Sequence, residues 1–197
     1  MLRLQGGDRT AFDQLVQKHQ SSLVGFFIRH LGDAQLGEDL TQETLLRVYQ
    51  QSWDYLPRGC FRGWMFRIAR NLLIDNTRRR SHDALVRAVR SRPTVRDDDE
   101  DDGLSQVQEH EPAPQELAAQ HEVARIVDGL FPKLPEEQKL TFILYHYAQL
   151  SLPEIADAME TTLPTAKSRL RLSRDKLRDM LKGLGYDDPG MPEDDPS

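Results

Sequence analysis

The side chains with most to say about chemistry are cations. Lys167, Arg171, Arg174 and Arg178 recur at i, i+4, i+7 and i+11. On a helix they fall within about 60° of one another. Ala166, Leu170, Leu177 and Leu181 form a separate apolar stripe. A helix built this way packs one stripe on its own domain and offers the other to phosphates and base edges. Thr165, Ser168 and Arg169 lie near its N-terminal end, where base contact is geometrically easiest. An ordinary solvated face could carry the same stripe. The preceding residues favour nucleic acid.

A second constellation interleaves Trp53, Tyr55, Phe61, Trp64 and Phe66 with Arg58, Arg62, Arg67 and Arg70. Single strands are held by stacking platforms beside cations, so the composition suits them. Aromatic residues at this spacing equally suit a core, and Phe61 and Trp64 share an apolar stripe. Arg67, Asn71 and Arg78 occupy another face, and Arg78-Arg79-Arg80 could simply complement a helix C-terminus. A third group, Glu38-Asp39-Leu40-Thr41-Gln42-Glu43, reads either as a solvated acidic face or as a partner-docking surface.

Signals of catalysis are missing. The six histidines (19, 30, 82, 110, 121 and 146) show no metal spacing with Cys60. There is no glycine-rich phosphate loop or nucleophile elbow. The acidic run 97–102 lacks the glycine and ligand spacing of a calcium loop. We expect no catalytic residues, metal or cofactor.

The elements that must position these groups are helical. Phe12, Leu15, Val16, Leu23, Phe26, Phe27 and Leu31 follow mostly helical spacing, ending at Gly32 with Asp33 as the next cap. Leu36, Leu40, Leu45, Val48 and Tyr49 mark a second helix that ends before Asp54. Residues 54–60, with Pro57 and Gly59, read as a loop. A third helix is expected from about Phe61 to Arg80, and residues 84–92, with Leu85, Val86 and Val89, either extend it or follow it. Further helices are expected near 116–130 and 136–147. Ser151-Leu152-Pro153-Glu154 fits a capping box before a short helix. Glu160-Thr161-Thr162 makes a turn, and a long helix begins near Leu163. Short helix, turn and long helix make a helix-turn-helix. No strand pattern is convincing, so the expected class is all-α.

Composition agrees. The 197 residues carry a net charge of −6, unevenly spread. Residues 1–80 are net +4 and 131–182 net +2, whereas 81–130 are net −7 and 183–197 net −5. Basic blocks separated by acidic segments suggest nucleic-acid contact by the former. One cysteine excludes an internal disulfide and fits a reducing cytosol. The longest apolar run, Leu23 to Ile28, is too short to span a bilayer, and the opening MLRLQGGDRTAF holds no apolar signal core. A cytoplasmic location without membrane insertion is expected.

These motifs, in this order, resemble a bacterial RNA polymerase sigma factor of the extracytoplasmic-function (ECF) group of the sigma-70 superfamily. The marks are Ala11-Phe12-Asp13-Gln14-Leu15, the 38–43 segment, and Phe61 to Asn71 with Asp75 and the arginine triple. Further along they are Leu134 to Gln138, Glu154-Ile155-Ala156, and Thr165 to Leu170. The resemblance covers about residues 10–82 and 115–182, and with the composition of the acidic stretches it divides the chain into four segments. Residues 1–82 are a region 2 bundle and 83–114 a flexible acidic linker. Residues 115–182 are a region 4 helix-turn-helix and 183–197 an acidic disordered tail.

The resemblance also implies roles. Region 2 would dock on the β′ clamp helices of core RNA polymerase through Asp39, Gln42, Glu43 and Arg47. It would capture single-stranded bases of the promoter −10 element through Tyr55, Arg58, Arg62, Arg67, Arg70, Asn71 and Arg78. Region 4 would dock on the β flap and read the −35 element through Thr165, Lys167, Ser168, Arg169, Arg171 and Arg174. An anti-sigma factor is a further implied partner. The acidic linker could act as a nucleic-acid mimic in polymerase channels. Glu160 stands where many members have glycine, and Pro164 and Ala166 replace the commoner glycine and valine. Two rival readings are a stand-alone helix-turn-helix regulator that needs no polymerase, and an interaction protein that holds polymerase or an anti-sigma factor without reading DNA.

Overall fold

The computed structural model describes residues 1–56, 60–90 and 125–186, with side chains in the second stretch as far as residue 86. The described residues are helical, as expected, and contain no strand. The helices are α1 (Leu2–Gln5), α2 (Thr10–Leu31), α3 (Ala34–Gln50), α4 (Phe61–Arg90), α5 (residues 125–130), α6 (Glu136–His146), α7 (Leu152–Ala158) and α8 (Leu163–Gly183). Short 3-10 turns cover Ser52–Asp54 and Phe131–Lys133. The expectations for the acidic run 97–102, for helix 116–124 and for most of the tail lie outside the described residues.

Helices α2, α3 and α4 form the first packing group. Gly32 ends α2 in the left-handed region (φ 71°), its N–H reaching the Ile28 carbonyl at 2.7 Å. Asp33 then caps α3, its carboxylate accepting from the Leu36 N–H at 3.0 Å. This sharp reversal folds α3 back onto α2. Gly37 allows the close approach, since a Cβ there would sit 2.7 Å from Ile28 Cγ1. Phe26, Phe27 and Phe66 are fully buried and meet edge to face, with Phe26–Phe66 centroids 5.6 Å apart. Thr41 and Thr44 are also buried, each hydroxyl donating to the carbonyl four residues back.

Helix α4 continues past Arg80 to Arg90, so of the two readings for residues 84–92 the structure shows extension as far as residue 90. The reason is local: residues 81–90 contain neither proline nor glycine, and the first helix breaker is Pro93. The segment expected to start a linker at 83 is therefore still helical at 90.

Helices α5 to α8 form the second group. Ser151 caps α7 as foreseen: its N–H and hydroxyl both donate to the Glu154 carboxylate, at 2.8 and 2.9 Å. Thr162 caps α8 by accepting from the Thr165 N–H at 3.3 Å. Ala166, Leu170, Leu177 and Leu181 are all buried, so the expected apolar stripe is the packed one. The turn between α7 and α8 requires Glu160 to adopt φ 50°.

The two groups are not separate bodies. Helix α4 lies on α7 and α2 on α6, and their buried apolar residues form one contiguous cluster. Gly63 sits at the tightest point. A Cβ there would lie 2.7 Å from Asp157 Oδ2 and 3.0 Å from the Glu154 carbonyl oxygen.

A left-handed conformation costs a non-glycine residue about 1 kcal/mol. Glu160→Gly should remove that strain. It also removes an ion pair to Arg70 at 3.8 Å, which contributes less than this. Thermal unfolding followed by circular dichroism should show the midpoint rising by about 2–4 °C; a fall would mean that the side chain outweighs the backbone strain.

Candidate nucleic-acid interface

Helix α8 carries the first candidate surface. Lys167, Ser168 and Arg171 are exposed along it, with Arg171 loosely paired to Asp175 at 3.4 Å. Arg178 approaches the same carboxylate at 3.6 Å. The Thr165 hydroxyl is engaged with the cap residue, 2.8 Å from Thr162 Oγ1. Arg169 is half-buried, its Nη1 lying 2.9 Å from Glu137 Oε2 on α6.

Arg174 departs from the expected stripe. It is only 6% exposed and turns into the packing between α6 and α8. Its Nε donates to His146 Nε2 at 3.3 Å, and its guanidinium lies 5.0 Å from the Tyr145 ring centroid. The helical wheel explains this. Of the four cations Arg174 is nearest the apolar stripe, about 20° from Leu181. The open basic surface is thus Lys167, Arg171 and Arg178.

The second surface was expected on the 54–60 loop and α4. Tyr55 is not available for stacking. It is 8% exposed, packed edge-on against Trp64 with ring centroids 5.0 Å apart and against Phe61 at 6.1 Å. The aromatic left open is Trp53, at 77% exposure. Gln5 holds this turn in place, its side-chain amide donating to the Ser52 and Tyr55 carbonyls, both at 2.8 Å. Nothing in the local sequence linked Gln5 to the turn. Arg58 lies outside the described residues.

Arg62, Arg67 and Arg70 do share one face of α4, and that face meets the second packing group. Arg62 donates to the Ala148 carbonyl and lies 3.7 Å from Glu154. Arg67 lies 3.7 Å from Asp157. Arg70 is poised between Glu137 at 3.5 Å and Glu160 at 3.8 Å. Asn71 and Arg78, further along the helix, are exposed.

Around this seam, Lys139 Nζ donates to the His30 carbonyl at 2.8 Å, and His30 Nε2 lies 2.9 Å from Glu136. That hydrogen bond holds the Glu136 carboxyl below its ordinary range. Arg29 stacks on Tyr147 at 4.0 Å and faces Asp128 at 3.9 Å; burial pushes the Asp128 carboxyl up. The matching carboxylates of α6, α7 and the turn were not foreseen, because they face α4 only once the two groups pack.

The α3 face is different. Asp39 and Gln42 are exposed, and Glu43 and Arg47 pair with each other at 2.9 Å in an i,i+4 bridge. Leu46, 49% exposed, adds an apolar spot between them. Among the described residues no cluster of three or more His, Cys, Asp or Glu could hold a metal ion. No described helix is long and apolar enough to cross a membrane.

Comparison with known proteins bears on the whole chain. Residues 15–83 match the family model Sigma-70 region 2, and residues 124–177 match Sigma-70, region 4. Together these cover more than half of the chain. The chain is 32% identical to the ECF RNA polymerase sigma factor SigE of Mycolicibacterium smegmatis across 89% of its own length, and spans 64% of that relative. It is 28% identical to the RNA polymerase sigma-H factor of Pseudomonas aeruginosa, covering 92% of each chain. Two solved structures share its fold. One is the sigma factor RpoE of Bartonella quintana in complex with the anti-sigma factor NepR. Its TM-score is 0.63 and identity 20%, covering 87% of this chain and 97% of that one. The other is CnrH with the cytosolic domain of CnrY, with TM-score 0.60, 22% identity, and 92% and 94% coverage.

Burial holds both His146 and His19 well below the ordinary 6.5, at about 4. The charges facing them are Arg174 for His146, and Lys18, Arg62 and Glu154 for His19. Both rings are neutral when folded and take up protons more readily when unfolded. Their contribution is therefore complete above about pH 6.5 and lost as pH falls towards 4. Denaturant midpoints across that window should fall with acid, and His146→Gln should flatten the fall. An equal slope in the variant would exclude His146 as a contributor.

Proposed function

The chain belongs to the sigma-70 family, in its extracytoplasmic-function group, and from this membership we propose that it binds core RNA polymerase and directs promoter-specific transcription initiation. The observation that carries the proposal is the presence of both halves in order: a region 2 match on α2 to α4 and a region 4 match ending in a capped helix-turn-helix. A stand-alone regulator would have no use for the region 2 half.

The residue roles follow the chemistry of each face. The exposed α3 side chains Asp39 and Gln42, with Glu43 and Arg47 beside them, would dock on the polymerase β′ clamp helices. In the open complex, Arg62, Arg67, Arg70 and Asn71 would line the track of the −10 single strand, with Trp53 the available stacking surface. Helix α8 would enter the −35 major groove. There Lys167 and Arg171 would set register and salt dependence through phosphates, while Ser168 and Arg169 would reach base edges. Phosphodiester chemistry and its metal ions would come from polymerase in the cytoplasm, and this chain would supply sequence selection. The RpoE relative is solved with an anti-sigma factor, and we extend that partner class to this chain.

The test is to mix the purified chain with bacterial core polymerase and sequence the transcripts made on a fragmented genomic library. Initiation downstream of a shared two-part motif, absent with core alone, is the expected result. Core binding without such initiation would contradict it. On the motif so found, Arg171→Ala should weaken engagement across all sequences and lower the salt slope by about 1. Arg169→Ala should relax preference at one −35 position by about 1–3 kcal/mol. Identical sequence profiles for the two variants would refute this division of labour.

A further inference from the structure

The residues ahead of α2 are built as a strut. Leu4 is buried at the root of α1. Arg3 reaches the Asp8 carboxylate at 2.7 and 3.0 Å and the Gln14 side-chain carbonyl at 3.2 Å. The same carboxylate accepts from the Thr10 N–H at 3.0 Å and the Thr10 hydroxyl at 2.6 Å, at the start of α2. Gly7, at φ 89°, makes the reversal between the two helices. Gln5 reaches from this strut to the turn after α3.

That turn is gripped at both ends. The Ser52 and Tyr55 carbonyls each accept from Gln5 Nε2 at 2.8 Å. The Tyr55 ring is packed against Phe61 and Trp64 of α4. Between these anchors stands Trp53, whose 77% exposure exceeds that of any other large apolar side chain among the described residues. It borders an open groove lined also by Leu4, Arg9, Tyr49 and Gln50, so an exposed cation lies beside the indole. A fixed backbone carrying a free aromatic ring next to a cation is the arrangement that holds single strands by stacking.

We propose that Gln5 is a positioning residue for the −10 single strand: its amide, donating to both carbonyls, holds the 52–55 turn so that the Trp53 indole is presented to a base. The proposal rests on the sigma reading. It extends the strand-holding apparatus to the N-terminal strut, which lies outside the residues 15–83 that match region 2. The side chain is well chosen for the task. A glutamine amide carries two N–H groups and can serve two carbonyls at once. Gln5 is exposed and lies outside the apolar cluster, so its bonds act on the turn and not on the core.

Gln5→Met tests the proposal in the full chain bound to core polymerase. Methionine keeps the length, the neutrality and the helix propensity of glutamine but has no N–H to donate. The probe is a single-stranded oligonucleotide carrying the non-template −10 segment of a promoter obtained from the transcript library. The variant should bind core like the parent and keep the same −35 sequence profile. It should bind the oligonucleotide about tenfold more weakly, the lower end of what one stacked base contributes. On a Trp53→Ala background, which is itself weakened, Gln5→Met should cause no further loss, because the turn then has no ring to present. Equal oligonucleotide affinity of the parent and Gln5→Met would overturn the proposal. So would a full tenfold loss on the Trp53→Ala background, which a purely structural role of Gln5 would give. Loss of core binding by Gln5→Met would also overturn it, by moving Gln5 to the polymerase dock. Absence of core binding or of initiation by the parent itself would overturn the sigma reading, and the proposal with it.

Discussion

Helix α4 packs on α7 through the same three arginines that a nucleic-acid strand would need in the proposed role. Much of the architecture turns on that conflict. The close approach at Gly63 brings Glu154 and Asp157 to within reach of Arg62 and Arg67. The next helical turn then brings Arg70 to Glu137 and Glu160. Four carboxylates from α6, α7 and the following turn lie against three cations of α4, with the apolar core continuing beneath them. Because single pairs of this kind contribute little, the closed form depends on all of them acting together with the packing.

The second half of the molecule shows how a short helix-turn-helix is made rigid enough to present a reading surface. Reciprocal capping by Ser151 and Glu154 fixes the start of α7, and Thr162 fixes the start of α8. Glu154 serves twice, as capping partner and as the carboxylate facing Arg62, so the local fold and the seam share a residue. Arg174 is packed into the same half, wedged between neutral His146 and the Tyr145 ring. A cation so placed stiffens the base of α8 while Lys167 and Arg171 remain in solvent.

Local chemistry was legible in the residues; what depends on distant neighbours was not. The Gly32-Asp33 stop and cap, the capping box at Ser151 and the stripe from Ala166 to Leu181 each stand on residues within a few positions, and each is present. The extent of α4 was open in the residues: the arginine triple looks like a helix end, yet Leu85, Val86 and Val89 allow the helix to continue, and nothing breaks it before Pro93. The burial of Tyr55 and Arg174 could not be read locally, for one reason. Both have amphipathic side chains whose exposure is decided by what packs over them. The pairing of Arg62, Arg67 and Arg70 could not be read at all, since their partners lie more than sixty residues away and no local period announces them. Glycine at 63, in an otherwise bulky helix, was the one local hint of a close contact.

For Arg62, Arg67 and Arg70 to hold a promoter strand, α4 must exchange α7 for DNA. The most direct measurement is the distance between a spin label on native Cys60, exposed at the start of α4, and one on Lys176→Cys, exposed on α8. It would be recorded for the chain alone, bound to core polymerase, and in the promoter-open complex. The account predicts one short distance for the free chain and a longer one in the open complex. A single short distance retained while the promoter is open would contradict it, because the arginines would then still be held by α7.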